Sequence, residues 1–155
     1  MGSKLISWAS SLLLKDMKVV PSHVAVLVQL DNVTEQFVLE SVLSSGVRIV
    51  PYKTWLQINE ECYKIEFKSK VNMFSVLDSI WNKKYDWPGI GFFAWCFFKH
   101  FLYKAPFPKK NKWQSNNKYF CTEAAAKLGG YEKHSMVTPA KMCYDLLKDY
   151  NGTAK

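Results

Sequence analysis

Between about residues 65 and 75 the apolar pattern changes period, and that change limits the folds open to the chain. Before it, apolar residues fall in short β-branched or alternating runs; after it, they recur at helical spacing. The run HVAVLVQL over 23–30 reads as a buried strand. Asp31 and Asn32 supply a turn, and residues 36–41 (QFVLES) form the second strand of a hairpin. Gly46 opens a third strand, GVRIV, closed by Pro51, and a turn of helix holds Trp55 and Leu56. CYKIEFK alternates as a fourth strand, with Tyr63, Ile65 and Phe67 on one face.

Helices dominate the remainder. Leu5, Trp8, Ala9, Leu12 and Leu13 already predict a short amphipathic helix over 3–15 ahead of the strands. Met73, Val76, Leu77, Ile80 and Trp81 predict another over about 72–83. Asp86-Trp87-Pro88-Gly89 reads as a turn, followed by an apolar helix near 91–103 and a basic loop over 104–118. An alanine-rich helix over 121–128 stops at Gly129-Gly130, and Thr138 with Pro139 opens a last helix to about Tyr150. Strands early and helices late predict α+β: an antiparallel sheet of about four strands packed by helices, in one domain over 1–155. No repeat or linker interrupts it.

Composition excludes several function classes. A hydrophobic fraction of 48% and an aromatic fraction of 15% belong to a folded chain, and 155 residues can bury a core without staples. Cys62, Cys96, Cys121 and Cys143 are scattered, so neither a zinc site nor a disulfide scaffold is expected, and no metal or cofactor is. They read as reduced thiols of an intracellular protein. No signal-peptide pattern or myristoylation motif is evident, and Lys99 and His100 cut the apolar run 90–98 short of a membrane span; a cytoplasmic protein is expected, in a host cytoplasm if phage-encoded. The net charge of +8 is spread out, and aromatics at core spacing argue against specific nucleic-acid binding. The densest cluster is Lys104, Lys109, Lys110, Lys112 and Lys118, with Phe107 and Trp113 among them. Such a loop suits an anionic membrane surface or an acidic macromolecule, or is simply solvated.

Cys121, in KYFCTEAAAKLGG, stands where the basic loop gives way to a helix. The unpaired N–H groups and positive dipole end of a helix N-terminus favour a thiolate there. A nucleophilic thiol needs a base and a group to orient that base. His23 lies on the first strand and Glu40 late on its hairpin partner, and antiparallel pairing brings such ends together. His100 and His134 are alternative bases, and each of these residues also has a purely structural reading.

SHVAVLV, then VLES followed by GVRIVP, then YDWPGIG, then YFCTE, together resemble the circularly permuted branch of the NlpC-type papain-like cysteine hydrolases. The nearest flavour is the YiiX-like group with its small viral and phage relatives, and the resemblance runs from about Lys4 to Gly130. It implies Cys121 as nucleophile, His23 as base and Glu40 as the orienting residue, with Glu123 favouring the helix N-terminus by its charge. Tyr85, Asp86, Trp87 and Tyr119 are candidates for contact with substrate, and Arg48 either pairs with a substrate anion or makes a surface salt bridge. The implied activity is hydrolysis of an amide, thioester or ester in a peptide or acylated substrate. A lipid acyl hydrolase or acyltransferase at a membrane surface, and a catalytically idle protein of the same fold, are the alternatives. Oligomeric state is not readable from the sequence.

Overall fold

The computed structural model of the chain describes residues 20–29, 32–65, 72–108, 110–115, 117–130, 137–150 and 153–154. The expected helix over 3–15, Lys109 and His134 lie outside these residues.

Strands β1 (Val26–Gln29), β2 (Gln36–Val42) and β3 (Gly46–Pro51) form an antiparallel sheet with β2 in the centre. Val26 pairs with Leu39, and Glu40 pairs with Arg48. The first strand is shorter than expected: pairing starts at Val26, so His23 sits outside the ladder. Helix α1 (Tyr52–Leu56) follows directly on β3. Of the expected fourth strand, residues 66–68 lie outside the described residues, and the described part, β4 (Tyr63–Lys64), pairs with β5 (Thr153–Ala154) instead of joining the sheet. Among the described residues the main sheet therefore has three strands rather than about four. Alternation marks a segment as strand without naming its partner, so the sequence could not supply this pairing.

Helices α2 (Met73–Ile80), α3 (Trp87–Tyr103), α4 (Cys121–Gly129) and α5 (Pro139–Tyr150) complete the described elements of an α+β fold. Helix α3 starts earlier than the sequence predicts. The carboxylate of Asp86 accepts the Gly89 N–H at 3.2 Å as N-cap, and Pro88 falls in the first turn, where a missing N–H costs nothing. The same Asp-Trp-Pro-Gly that signals a turn is thus a helix start. Helix α4 ends as expected, with Gly130 left-handed at φ +74°. Thr138 accepts the Lys141 N–H at 3.2 Å ahead of α5.

The core lies between the sheet and α4. Ala124, Ala125, Ala126 and Leu128 pack with Val26, Leu39 and Val47, and Ile80, Met142 and Leu146 close the cluster. Small side chains let α4 approach the strands closely. Strand β2 is buried from Val38 through Ser41, so both of its faces are covered. Leu39 and Ser41 meet α4 and the segment before it, and Glu40 meets α1.

Gly46 closes the β2–β3 hairpin at φ +71°, and a Cβ there would lie 2.1 Å from the Lys83 carbonyl oxygen. That carbonyl accepts the Val47 N–H at 3.0 Å, and the adjoining Lys84 carbonyl accepts the Tyr119 N–H at 3.1 Å. One short segment thereby ties the hairpin to the entrance of α4. Gly46→Ala should cost roughly 2–4 kcal/mol, from the left-handed backbone together with the backbone clash. Urea unfolding monitored by circular dichroism would measure this.

Candidate active site

Cys121 is the first residue of α4, and three local contacts fix it. The Ser41 hydroxyl donates to the Tyr119 carbonyl at 2.5 Å, anchoring the residues before the helix to β2. Glu123 accepts the Phe120 N–H at 3.2 Å, and the Thr122 hydroxyl donates to the Val137 carbonyl at 2.6 Å. Cys121 itself is 4% exposed and lines the same cavity as His23 and Glu40.

Continuing the β1–β2 register would set Ala25 opposite Glu40 and His23 diagonally beside it. Having left the ladder before its first paired residue, His23 is free to reach both Glu40 and Cys121. Its Nε2 lies 2.8 Å from Glu40 Oε2, and the Cys121 thiol is hydrogen-bonded to the same imidazole. An ionised carboxylate only accepts, so Nε2 carries a hydrogen and donates. Nδ1 is then the nitrogen left for the thiol proton.

Glu40 is held by four N–H donors. Arg48 gives Nε and Nη2 to Oε1 at 2.8 and 2.6 Å, while Trp55 gives its indole N–H to Oε2 at 2.9 Å, beside His23. Burial works against charge on this carboxylate. The hydrogen bonds from His23, Trp55 and Arg48, and the charge of His23, nevertheless hold it down at about 2. Burial also lowers His23, but hydrogen bonds to Cys121 and Glu40 and the charges of both raise it to about 9. The imidazole is therefore charged at neutral pH.

The cavity measures about 990 Å³, within the usual range of small-molecule sites. Arg48, Trp55 and Tyr85 share its wall with the three central residues, and Val26, Val38, Ala125, Met142 and Leu146 make much of the rest apolar. Burial, then the charge of Cys121, push the Tyr85 phenol upward, so it stays protonated as a donor. Of the other expected substrate contacts, none lines this cavity. Asp86 is wholly buried as the α3 cap, and Trp87 is exposed with its ring edge against Tyr85. Tyr119 is a core residue whose hydroxyl accepts from Lys127 at 2.8 Å. Their sequence signals were those of helix capping and packing.

Two further expectations change. His100 donates at the α3 end, with Nδ1 2.8 Å from the Ala105 carbonyl and its ring 5.0 Å from Phe107, away from the cavity. Since a carbonyl only accepts, Nδ1 is the donor there. Glu123 does not act at the helix start by charge. Burial, with Asp86 nearby, raises its carboxyl to about 8, so at neutral pH it serves through its hydrogen bond. Arg48 pairs with buried Glu40, not with a surface carboxylate. The three-residue hairpin loop that puts positions 40 and 48 opposite each other was the available signal for that pair. Trp55 was missed as a partner of Glu40; a buried indole N–H needs an acceptor, but nothing in the sequence says which. No group of three or more potential metal-ligating residues is present among the described residues.

Compared with models of known protein families, with curated proteins and with solved structures, the chain matches none.

The pKa shifts fix a pH window. Glu40, lowered from 4.5, contributes stability that is complete above about pH 4.5 and lost as pH falls through about 2. His23, raised from 6.5, contributes stability that is complete below about pH 6.5 and lost as pH rises through about 9. Glu40→Gln should therefore lose most stability relative to the parent between about pH 4.5 and 6.5, by roughly 2–4 kcal/mol. Urea titrations of both proteins across pH would trace this difference, and NMR of the His23 ring should show its pKa lower in the variant.

Thiol reactivity gives a second check. Burial raises the Cys62, Cys96 and Cys143 thiols, Cys143 to about 11, whereas Cys121 shares a hydrogen bond with a charged imidazole. Iodoacetamide at neutral pH should label Cys121 at least about tenfold faster than the other three, as read by peptide mass spectrometry.

Proposed function

We propose that the chain is a cysteine hydrolase of the permuted NlpC-type papain-like class, cleaving an amide, thioester or ester through a covalent acyl-enzyme. One observation carries the reading: a single imidazole joined to both the Cys121 thiol and the buried Glu40 carboxylate, in the wall of a substrate-sized cavity.

At neutral pH the His23 imidazole is charged and stands beside the Cys121 sulfur. The sulfur attacks the substrate carbonyl, forming an S–C bond and placing negative charge on the carbonyl oxygen. The Cys121 N–H, at the first position of α4 and without a helical acceptor of its own, faces that charge with the helix dipole behind it. The Tyr85 hydroxyl supplies a second donor from the same cavity. His23 then protonates the leaving nitrogen, sulfur or oxygen as its bond to carbon breaks. The neutral imidazole next takes a proton from water, which attacks the thioester and releases the acid and Cys121. Glu40 holds the ring in one tautomer and supports its positive charge without itself gaining a proton. The apolar part of the cavity wall favours a substrate with an aliphatic or aromatic acyl group.

A panel of nitrophenyl esters, acyl thioesters and peptide amides tests this reading. Cys121→Ala and His23→Ala should remain folded without turnover, and the double variant should be no worse than either single one. Glu40→Gln should keep partial activity, and Tyr85→Phe should lower kcat by roughly ten- to a hundredfold. The kcat/KM profile should fall on its alkaline side near pH 9, because the general acid must be protonated, and that limb should move to lower pH in Glu40→Gln. Full activity in His23→Ala would remove the base and with it the proposal.

A further inference from the structure

Helix α3 breaks the usual pattern of a surface helix. Gly89, Phe92 and Cys96 make its buried side. The opposite side, where polar residues normally stand, carries Trp87, Trp95, Phe98, Phe101 and Leu102, each between 46% and 63% exposed. Positions 87, 91, 95, 98 and 102 follow helical spacing, so this is one continuous apolar stripe rather than scattered exposure. At 17 residues α3 is too short to cross a bilayer, and no helix among the described residues is long and apolar enough to do so.

Charge around the stripe is of one sign. Residues 87–122 contain six lysines and no Asp or Glu. Two lysines flank the stripe itself: Lys99 Nζ lies 5.1 Å from the centre of the Trp95 ring, and Lys104 Nζ lies 6.0 Å from that of Phe101. Their ammonium groups sit level with the aromatic rings, as side chains do where rings enter the acyl boundary and cations meet lipid phosphates. We infer that α3, with Lys99, Lys104 and the lysines of the following loop, docks the protein in the plane of an anionic lipid bilayer. A protein partner of matching shape would need only the apolar stripe. The exclusion of every carboxylate from 36 consecutive residues is what a phosphate-covered surface selects. The inference stands apart from the catalytic reading, since it uses none of the cavity residues.

Co-sedimentation of the full chain with phosphatidylcholine vesicles, and with vesicles that also contain phosphatidylserine, tests it. Binding should be confined to the second kind and weaken as salt rises. Lys99→Glu with Lys104→Glu should weaken it at least about tenfold, and Phe98→Glu with Leu102→Glu should do so by a similar factor. All four substituted positions are exposed, and unchanged far-ultraviolet circular dichroism would verify folding. If the apolar variant nevertheless misfolds, quenching of the parent's tryptophan emission by lipids brominated along the acyl chain gives the same information. No binding to anionic vesicles, or binding unaltered by either pair of substitutions, overturns the inference. So would a dimer of the parent dissolved by Phe98→Glu, or preferential binding of duplex DNA over vesicles, because another occupant would then hold the surface.

Discussion

The Glu40 carboxylate is the contact around which the cavity is organised. A carboxylate has about four lone-pair directions, and here four N–H donors from three residues fill them. Arg48 takes one oxygen from the neighbouring strand, and His23 and Trp55 share the other. This division fixes the carboxylate plane without allowing Arg48 to compete for His23. It also joins the segment before β1 to β2, β3 and α1 through one side chain that is 2% exposed. A buried charge with a donor missing would be strongly destabilising, so the arrangement is cooperative: each donor makes the others more necessary.

Cys121 is placed from the other side of the same strand. Glu40 faces α1, and its neighbour Ser41 bonds the carbonyl of Tyr119, two residues before Cys121. Successive residues of β2 thus hold His23 through one face and the Cys121 helix through the other. Because adjacent side chains of a strand point oppositely, a one-residue slip of β2 would lose both contacts at once. The Gly46 turn resists such a slip, since its left-handed backbone and its close approach to Lys83 fit only one register. Glu123 and Asp86 belong to the same support. Both are fully buried carboxyls, and each accepts a backbone N–H at a helix start.

Local chemistry was legible in the sequence and partner choice was not. The hairpin, its turns, the start of α4 and the stop at Gly130 all follow from short-range rules: period, turn residues and capping. Cys121, His23 and Glu40 were legible as a set because a helix start and two adjacent strand ends can converge. Where two structures use the same residues, the sequence misled. Asp86 to Gly89 serves equally as a turn or as an N-cap with proline in the first turn, and only the continuing helix decides. Residues 62–68 alternate whichever strand they meet, and β4 met β5 instead of the sheet. The burial of β2 on both faces was also hidden, and with it the reasons for Trp55, for the Arg48 pairing and for the neutrality of Glu123.

Net stabilisation does not account for this cluster. Replacing a buried ion pair by apolar residues of similar volume is often neutral or stabilising, so packing alone gives no reason to bury Glu40 with His23 and Arg48. Burial by itself would leave His23 neutral, which is the cheaper state in an apolar wall. Glu40 and Cys121 together reverse that preference, so the imidazole stays charged beside a thiol and next to a cavity. Elsewhere in the fold, burial pushes titratable groups toward their neutral forms, as in Glu123, Tyr85 and Cys143. The same physical pressure acts on His23 and is overcome there by directed hydrogen bonds. A site where the general tendency of the core is opposed by specific contacts is where a proton can be held ready to move.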